Sequence, residues 1–174
     1  MRKILRGEFF NRPTLKVARE LLGKFLVRKQ GRKMVALMIT DVEAYIGHRD
    51  RASHASRGKT ARNALMFGQA GYWYIYFTYG MHWMLNIVTE GNGYPAAILI
   101  RGVQNISGPA RITKFLKIDK KLNGKSALRV SGLWIEDRGV KVASRMIKKG
   151  KRVGVDYAGE WKNRPWRFFI NSLV

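Results

Sequence analysis

Apolar and polar residues alternate along two long stretches of this chain, and each stretch folds back on itself at a glycine. In the first, Lys24–Lys29 and Arg32–Tyr45 flank Gln30-Gly31, which predicts a β-hairpin. In the second, the aromatic-rich runs Tyr72–Thr78 and Trp83–Thr89 flank Tyr79-Gly80-Met81-His82. Reading Gly80 as the first residue of a two-residue loop predicts a type II′ turn, with Tyr79 and His82 held at the tip of a stiff ribbon. A loop over Gly91-Asn92-Gly93-Tyr94-Pro95 leads into a strand at Ala96–Val103. Helical spacing is confined to short segments. Leu15, Ala18, Leu21 and Leu22 follow Thr14, predicted as the N-cap, and Gly23 closes that helix. A second short helix is predicted over Thr60–Phe67 within the loop-rich segment Ser53–Gly68, and a third over Pro109–Leu116 with proline at its first position. The tail predicts strands at Val140–Met146, Arg152–Asp156 and Trp166–Ile170. No repeat, low-complexity run or linker interrupts the pattern. Residues 1–174 are therefore expected to form one α+β domain, a mainly antiparallel curved β-sheet flanked by short helices and a protruding β-hairpin.

Period two sharpens one strand. Val35, Leu37 and Ile39 share a face, and Asp41, Glu43 and Tyr45 are expected to continue it, so that an apolar face turns acidic and aromatic at the strand's end. That is where a pocket mouth would lie. A carboxylate shielded by aromatics has a raised pKa and can serve as a base near neutrality. Glu43 has the best aromatic company among Asp41, Glu43, Asp50 and Glu90, with Asp41 next. A solvated or ion-paired carboxylate is the plainer reading of each.

Charge changes the picture. The chain carries 34 basic and 11 acidic residues, a formal net charge of +23. Such an excess repels itself in a compact chain unless a polyanion shares the surface, which points to nucleic acid and to steeply salt-dependent binding. The basic residues flank the centre: residues 34–101 hold only six of them beside four acids, yet ten of the twenty aromatics. Basic flanks around an aromatic centre fit a backbone clamp around a base-binding pocket, although a core sheet would show the same distribution. An exposed aromatic on a rigid tip is a device for wedging into a base stack.

The chain has no cysteine, which rules out disulfides, thiol chemistry and cysteine-based zinc sites, and its three histidines (His48, His54, His82) lack ligand-pair spacing, so no metal and no cofactor is expected. No apolar run approaches the roughly 20 residues of a membrane span, and no signal-peptide pattern follows the basic start. The expected setting is intracellular and DNA-associated, in the cytoplasm or nucleoid of a prokaryote, as a monomer. Wedge, acid and aromatics together predict an enzyme that extrudes a base from DNA and acts on it. Cleaving the glycosidic bond of a damaged purine needs few groups: one base, one water and a site for developing positive charge. No lysine is apolar-flanked near Glu43; Lys59 is the nearest and lies in a polar loop. Strand-cleaving amine chemistry is therefore not expected. A non-catalytic nucleic-acid-binding module and a basic RNA-processing protein are the alternatives.

Specific motifs then appear in order along nearly the whole chain. They include Phe9-Phe10-Asn11-Arg12-Pro13, Leu21-Leu22-Gly23-Lys24, Glu43-Ala44-Tyr45, Ala52-Ser53-His54-Ala55, Arg62-Asn63, Met66-Phe67-Gly68, Tyr74-Ile75-Tyr76, Tyr79-Gly80-Met81-His82 and Leu85-Asn86. Arg101, Gly108-Pro109, Leu122-Asn123-Gly124, Gly159-Glu160 and Arg164-Pro165-Trp166-Arg167-Phe168 complete the set. As an ordered set this resembles the alkyladenine (3-methyladenine) DNA glycosylase family. The resemblance implies hydrolysis of the N-glycosidic bond of alkylated or deaminated purines after base flipping in double-stranded DNA, without a metal. It implies that Glu43 activates the attacking water and that Arg101 helps hold it, together with a main-chain carbonyl near Val153. Tyr45 and His54 would sandwich the flipped base, Tyr76 would close an edge, and Asn86 would crowd the two-amino group of guanine. Tyr79 would fill the gap left in the duplex. Stacking on Tyr45 and Tyr76 would add cation–π attraction for a positively charged alkylpurine and none for a neutral lesion such as hypoxanthine.

Overall fold

The computed structural model describes residues 2–171; Met1 and Ser172–Val174 of the expected domain lie outside the described residues. The strands are β1 (Lys3–Ile4), β2 (Phe25–Gln30), β3 (Lys33–Ile46), β4 (Trp73–Thr78), β5 (His82–Val88), β6 (Ala96–Val103), β7 (Ile106–Ser107), β8 (Leu133–Asp137), β9 (Lys148–Gly150) and β10 (Arg167–Phe169). They join one sheet whose main path runs β1-β8-β2-β3-β6-β5-β4, with β10 between β3 and β9 and β7 on β6. Each pairing between these strands is antiparallel. Three short α-helices accompany the sheet: α1 (Gly7–Phe10), α2 (Thr14–Leu21) and α3 (Pro109–Phe115). The α+β class and the antiparallel sheet expected from the alternation are what the chain forms. None of the helices among the described residues is long and apolar enough to cross a membrane.

The main core lies on one face of the sheet, where Ile39, Val42, Ala44, Ile87, Ile98 and Ile100 pack with Val17 and Leu21 of α2 and Ile112 of α3. α2 presents its apolar residues to that core because Val17, Ala18 and Leu21 recur at three- and four-residue spacing. Thr14 is its first helical residue, not its N-cap. Its main-chain N–H and its hydroxyl both donate to Glu90, at 2.7 and 2.8 Å, so a distant carboxylate satisfies the helix start. Gly23 follows with φ 84°, as a helix-closing glycine should.

The long strand β3 departs from the expected alternation. Val35, Leu37 and Ile39 do face the main core, but Val42, Ala44 and Ile46 take over that face beyond Thr40. The pairing with β6 slips between Ile39 and Asp41 and slips back between Asp41 and Val42, a β-bulge irregularity that spans the same stretch on both strands, Ile39–Val42 and Val103–Ile100, and reverses the parity of β3. Asp41, Glu43 and Tyr45 therefore share a face opposite the main core, not a continuation of it. Gly102 makes the bulge possible: a Cβ there would lie 2.8 Å from Asp41 Cβ. At the bulge β3 also exchanges its neighbour, β2 before it and β10 after it.

The β4–β5 hairpin forms as predicted but turns differently. Met81 N–H donates to Thr78 O at 3.1 Å, and Tyr79 and Gly80 both have positive φ, 52° and 64°. That is the pattern of a type I′ turn with Tyr79 as its first central residue, because two positive φ values match the right-handed strand twist. The predicted Thr60–Phe67 helix shrinks to a 3-10 helix at Ala64–Phe67. Thr60 and Asn63 instead close a turn on each other. Neither Val140–Met146 nor Arg152–Asp156 is a strand. Val140 and Val142 crowd Gly23 without a partner strand, and Gly154 at φ 74° breaks the second segment before a 3-10 stretch at Asp156–Asn163. Alternation left β7, β8 and β9 unmarked in that half of the chain; β8, the longest of them, pairs with β1 and β2.

Candidate active site

The face of β3 left open by the bulge looks onto a cleft of about 420 Å³. Its walls come from β3, β4, β5 and β6, from the 3-10 helix His54–Arg57, and from the segment around Val153. Tyr45, His54, Tyr76, Tyr79, Asn86, Arg101 and Val153 all line it, so seven of the eight predicted site residues meet in one place.

Glu43, the eighth, lies behind that wall with no exposed surface. One oxygen, Oε2, accepts from the Tyr45 hydroxyl at 2.8 Å; the other, Oε1, accepts from the Val153 main-chain N–H at 2.8 Å. Arg101 Nη1 stands 3.4 Å from Oε1. Burial pushes the Glu43 pKa above the ordinary glutamate value, while Arg101, the Val153 N–H and Tyr45 pull against that rise. The contact Val153 makes is thus through its N–H and directly to the carboxylate. Burial, with Glu43 beside it, raises the Tyr45 phenol, which therefore stays protonated as a donor.

Arg101 is shared. Its Nε is 3.9 Å from Asp41 Oδ2, too long for a hydrogen bond, and this buried N–H has no partner among the described residues. Asp41 is instead gripped by the Arg167 fork, Nη2 to Oδ2 at 2.7 Å and Nε to Oδ1 at 3.0 Å. Asp41, the second-ranked acid, holds the scaffold beside the site.

The opposite wall is aromatic. The His54 and Tyr76 rings meet edge-on with centroids 4.5 Å apart. His54 Nδ1 pairs with the Tyr74 hydroxyl at 2.9 Å, and its main-chain carbonyl accepts from Asn63 Nδ2 at 2.9 Å. Residue 54 is exposed overall, yet its imidazole packs against these rings. Partial desolvation, and then Arg62, hold its pKa below the ordinary histidine value, so the ring is neutral at pH 7. Burial pushes Tyr74 up to about 12, and Tyr76 is raised for the same reason. Asn86 is buried, its Nδ2 donating to the carbonyl of Tyr74 at 3.1 Å. That fixes the amide in the wall. Tyr79 is 79% exposed at the hairpin tip.

Three supporting residues carry no site role in the sequence analysis, although Arg62 and Tyr74 stand in its motifs. Arg152 is fully buried and pairs with buried Asp50 through two bonds, 2.5 and 2.8 Å. It also donates to Ala44 O at 2.9 Å and lies 4.8 Å from the Tyr45 ring centroid. It therefore braces Tyr45 from behind and holds the chain next to Val153. Arg62 faces the Tyr76 ring at 5.5 Å and donates to Phe77 O at 2.9 Å. Tyr74 orients His54. Asp50 and Arg152 are 102 positions apart, and no local pattern links them. Among the described residues no three side chains of His, Cys, Asp or Glu come together as a metal site.

Comparison with known proteins places this architecture. The profile of the family described as methylpurine-DNA glycosylase (MPG) matches residues 8–107 and 103–173. A protein of Methanocella arvoryzae, named provisionally as a 3-methyladenine DNA glycosylase, is 45% identical over 95% of this chain and 92% of its own length. A Legionella pneumophila protein carrying the same name is 42% identical over 99% of this chain and 96% of its own. One from Myxococcus xanthus, again so named, is 40% identical over 94% and 88%.

Proposed function

Since this chain belongs to the methylpurine-DNA glycosylase family, we propose that it is a base-excision repair DNA glycosylase that hydrolyses the N-glycosidic bond of damaged purines flipped out of duplex DNA. The observation that carries this reading is the buried Glu43 carboxylate, held by Tyr45 and Val153 with Arg101 at 3.4 Å, directly behind an aromatic cleft. Glu43 takes a proton from water as the water oxygen bonds to C1′ of the sugar. The C1′–N9 bond breaks, and its electron pair leaves with the base. The carboxylate also stabilises the positive charge that develops on the sugar. Arg101 holds Glu43 ionised and, through its unpartnered Nε–H, has a donor to spare. Tyr45 and His54 stack on the base, Tyr76 closes an edge, and Asn86 crowds a guanine two-amino group. Tyr79 replaces the flipped base in the stack. No lysine is among the cleft-lining residues, which supports a monofunctional hydrolase that leaves an abasic site.

One observation favours a second reading, a damaged-DNA-binding module without catalysis. Glu43 is entirely covered and both its oxygens are engaged, as in a structural carboxylate. Base release decides between the two. Labelled duplexes carrying one hypoxanthine or one ethenoadenine, and methylated DNA, are incubated with wild type and Glu43→Gln and scored after alkali. The glycosylase reading expects release by wild type alone, with binding to lesion duplex kept in the variant. Binding without release from any substrate selects the module.

A further inference from the structure

The charges around the cleft narrow the substrate class. Among the cleft-lining residues the fully charged side chains are Arg62 and Arg101, and no carboxylate is one of them. Glu43 stands behind the wall, with Arg101 beside it and both oxygens bonded. A cationic purine entering the cleft would therefore depend on the electron-rich faces of the aromatic rings. Protein guanidinia already lie against two of these rings: Arg152 at 4.8 Å from the Tyr45 centroid, and Arg62 at 5.5 Å from that of Tyr76. Arg152 is not part of the cleft wall and its charge is balanced by Asp50. Arg62 is an exposed member of the wall and, among the described residues, forms no ion pair.

We infer that Arg62 is a specificity-determining residue that biases this cleft toward neutral damaged purines, such as hypoxanthine and ethenoadenine, and against purines carrying a fixed positive charge. The inference rests on the glycosylase reading above. Two kinds of interaction give Arg62 this role. It uses the π attraction of Tyr76 that a cationic base would otherwise draw on, and it repels a second cation directly across a partly desolvated cleft. The same field is felt by a group already in the cleft: Arg62 opposes protonation of His54, the ring on which the base is expected to stack. What disfavours a proton on that imidazole disfavours a charged purine against it. A neutral purine keeps the stacking and meets no repulsion.

Arg62 is exposed, and among the described residues the one side-chain hydrogen bond it makes is to Phe77 O, so its replacement leaves the core intact. The test measures single-turnover release of hypoxanthine and ethenoadenine from synthetic duplexes, and of 7-methylguanine and 3-methyladenine from dimethyl-sulfate-treated DNA. Each rate is divided by spontaneous release. Wild type, Arg62→Gln and Arg62→Lys are compared. The cationic-to-neutral ratio is expected to rise about 3- to 10-fold in Arg62→Gln, the range of a partly exposed cation–π contact, and to rise less in Arg62→Lys, which keeps the charge. An unchanged ratio, with both classes slowed alike, would show Arg62 to be a phosphate contact and would overturn the inference. A fall in the ratio would also overturn it. If wild type releases no base, it is the glycosylase reading that fails. The same ratio, read as affinity for duplexes of each class, then still decides the role of Arg62.

Discussion

The two walls of the cleft are built in opposite ways. The β3 wall carries the acid and is locked from behind: Asp50 and Arg152 form a fully buried pair under Tyr45, and Arg167 grips Asp41 at its edge. The β4–β5 wall runs out to a tip where Tyr79, 79% exposed, holds a left-handed φ that a non-glycine residue adopts at a cost. One wall puts its stability into fixing a carboxylate. The other leaves a side chain in solvent, where a duplex can meet it. Positioning chemistry needs support from several directions, whereas opening a base stack needs reach and stiffness along one ribbon.

Four measurements break or sharpen this contrast. The largest effect belongs to the locked wall: Glu43→Gln should lower single-turnover base release by about 10²- to 10⁴-fold, the usual weight of a positioned base, while the melting temperature does not fall. Next, Asp50→Ala leaves Arg152 charged and unpaired in the core and should cost about 3–5 kcal/mol in urea denaturation. The double replacement Asp50→Leu with Arg152→Met should recover much of that stability but not the activity, because it no longer braces Tyr45. At the open wall the pattern should invert. Tyr79→Ala should change stability by less than about 0.5 kcal/mol, yet weaken affinity for lesion duplex by about 1–3 kcal/mol, one aromatic stack. Tyr79→Gly should lose the same affinity and gain about 1 kcal/mol of stability by relieving the backbone. An equal stability loss at both walls would remove the contrast.

The smallest effect is a pH dependence. The Glu43 pKa is raised in the folded protein, chiefly by burial, so the folded state takes up a proton more readily than the unfolded chain. Burying this carboxylate therefore costs stability above its folded pKa, and the cost is relieved as pH falls through that value. Denaturation of wild type and Glu43→Gln between about pH 4 and 7 should show the two curves converging toward acid. The acid limb of the base-release profile should likewise lie above the ordinary glutamate range.

Much of this arrangement was legible in the residues, and the failures have physical causes. Glu43 and Tyr45 were placed on one face by period two, and Tyr79 was placed at a tip by a glycine between two β-patterned runs. The turn type was missed because Gly80 invites a positive φ, and nothing in the local sequence signals that Tyr79 takes one too. The relation of Glu43 to the core was inverted because the bulge depends on Gly102, a glycine on a different strand. The segment Val140–Met146 alternates for a reason other than strand pairing: its valines pack on Gly23. In the sequence Arg152 only opens a predicted strand, Arg152–Asp156. Its partner is 102 residues away, and only the fold brings them together.

The bulge in β3 also sets how this protein tolerates insertions and deletions. The irregularity near Thr40 acts as a frameshift in the alternation of side chains. Deleting Thr40 would leave Ile39, Val42 and Ala44 in regular alternation on the core face with Glu43 still on the cleft face, but β3 would then be one residue short against β6, where Ile39–Val42 and Val103–Ile100 each span the same stretch. Among the lengths this strand could take, one count only sets Glu43 opposite Leu99 and Tyr45 opposite Ala97 without a further slip.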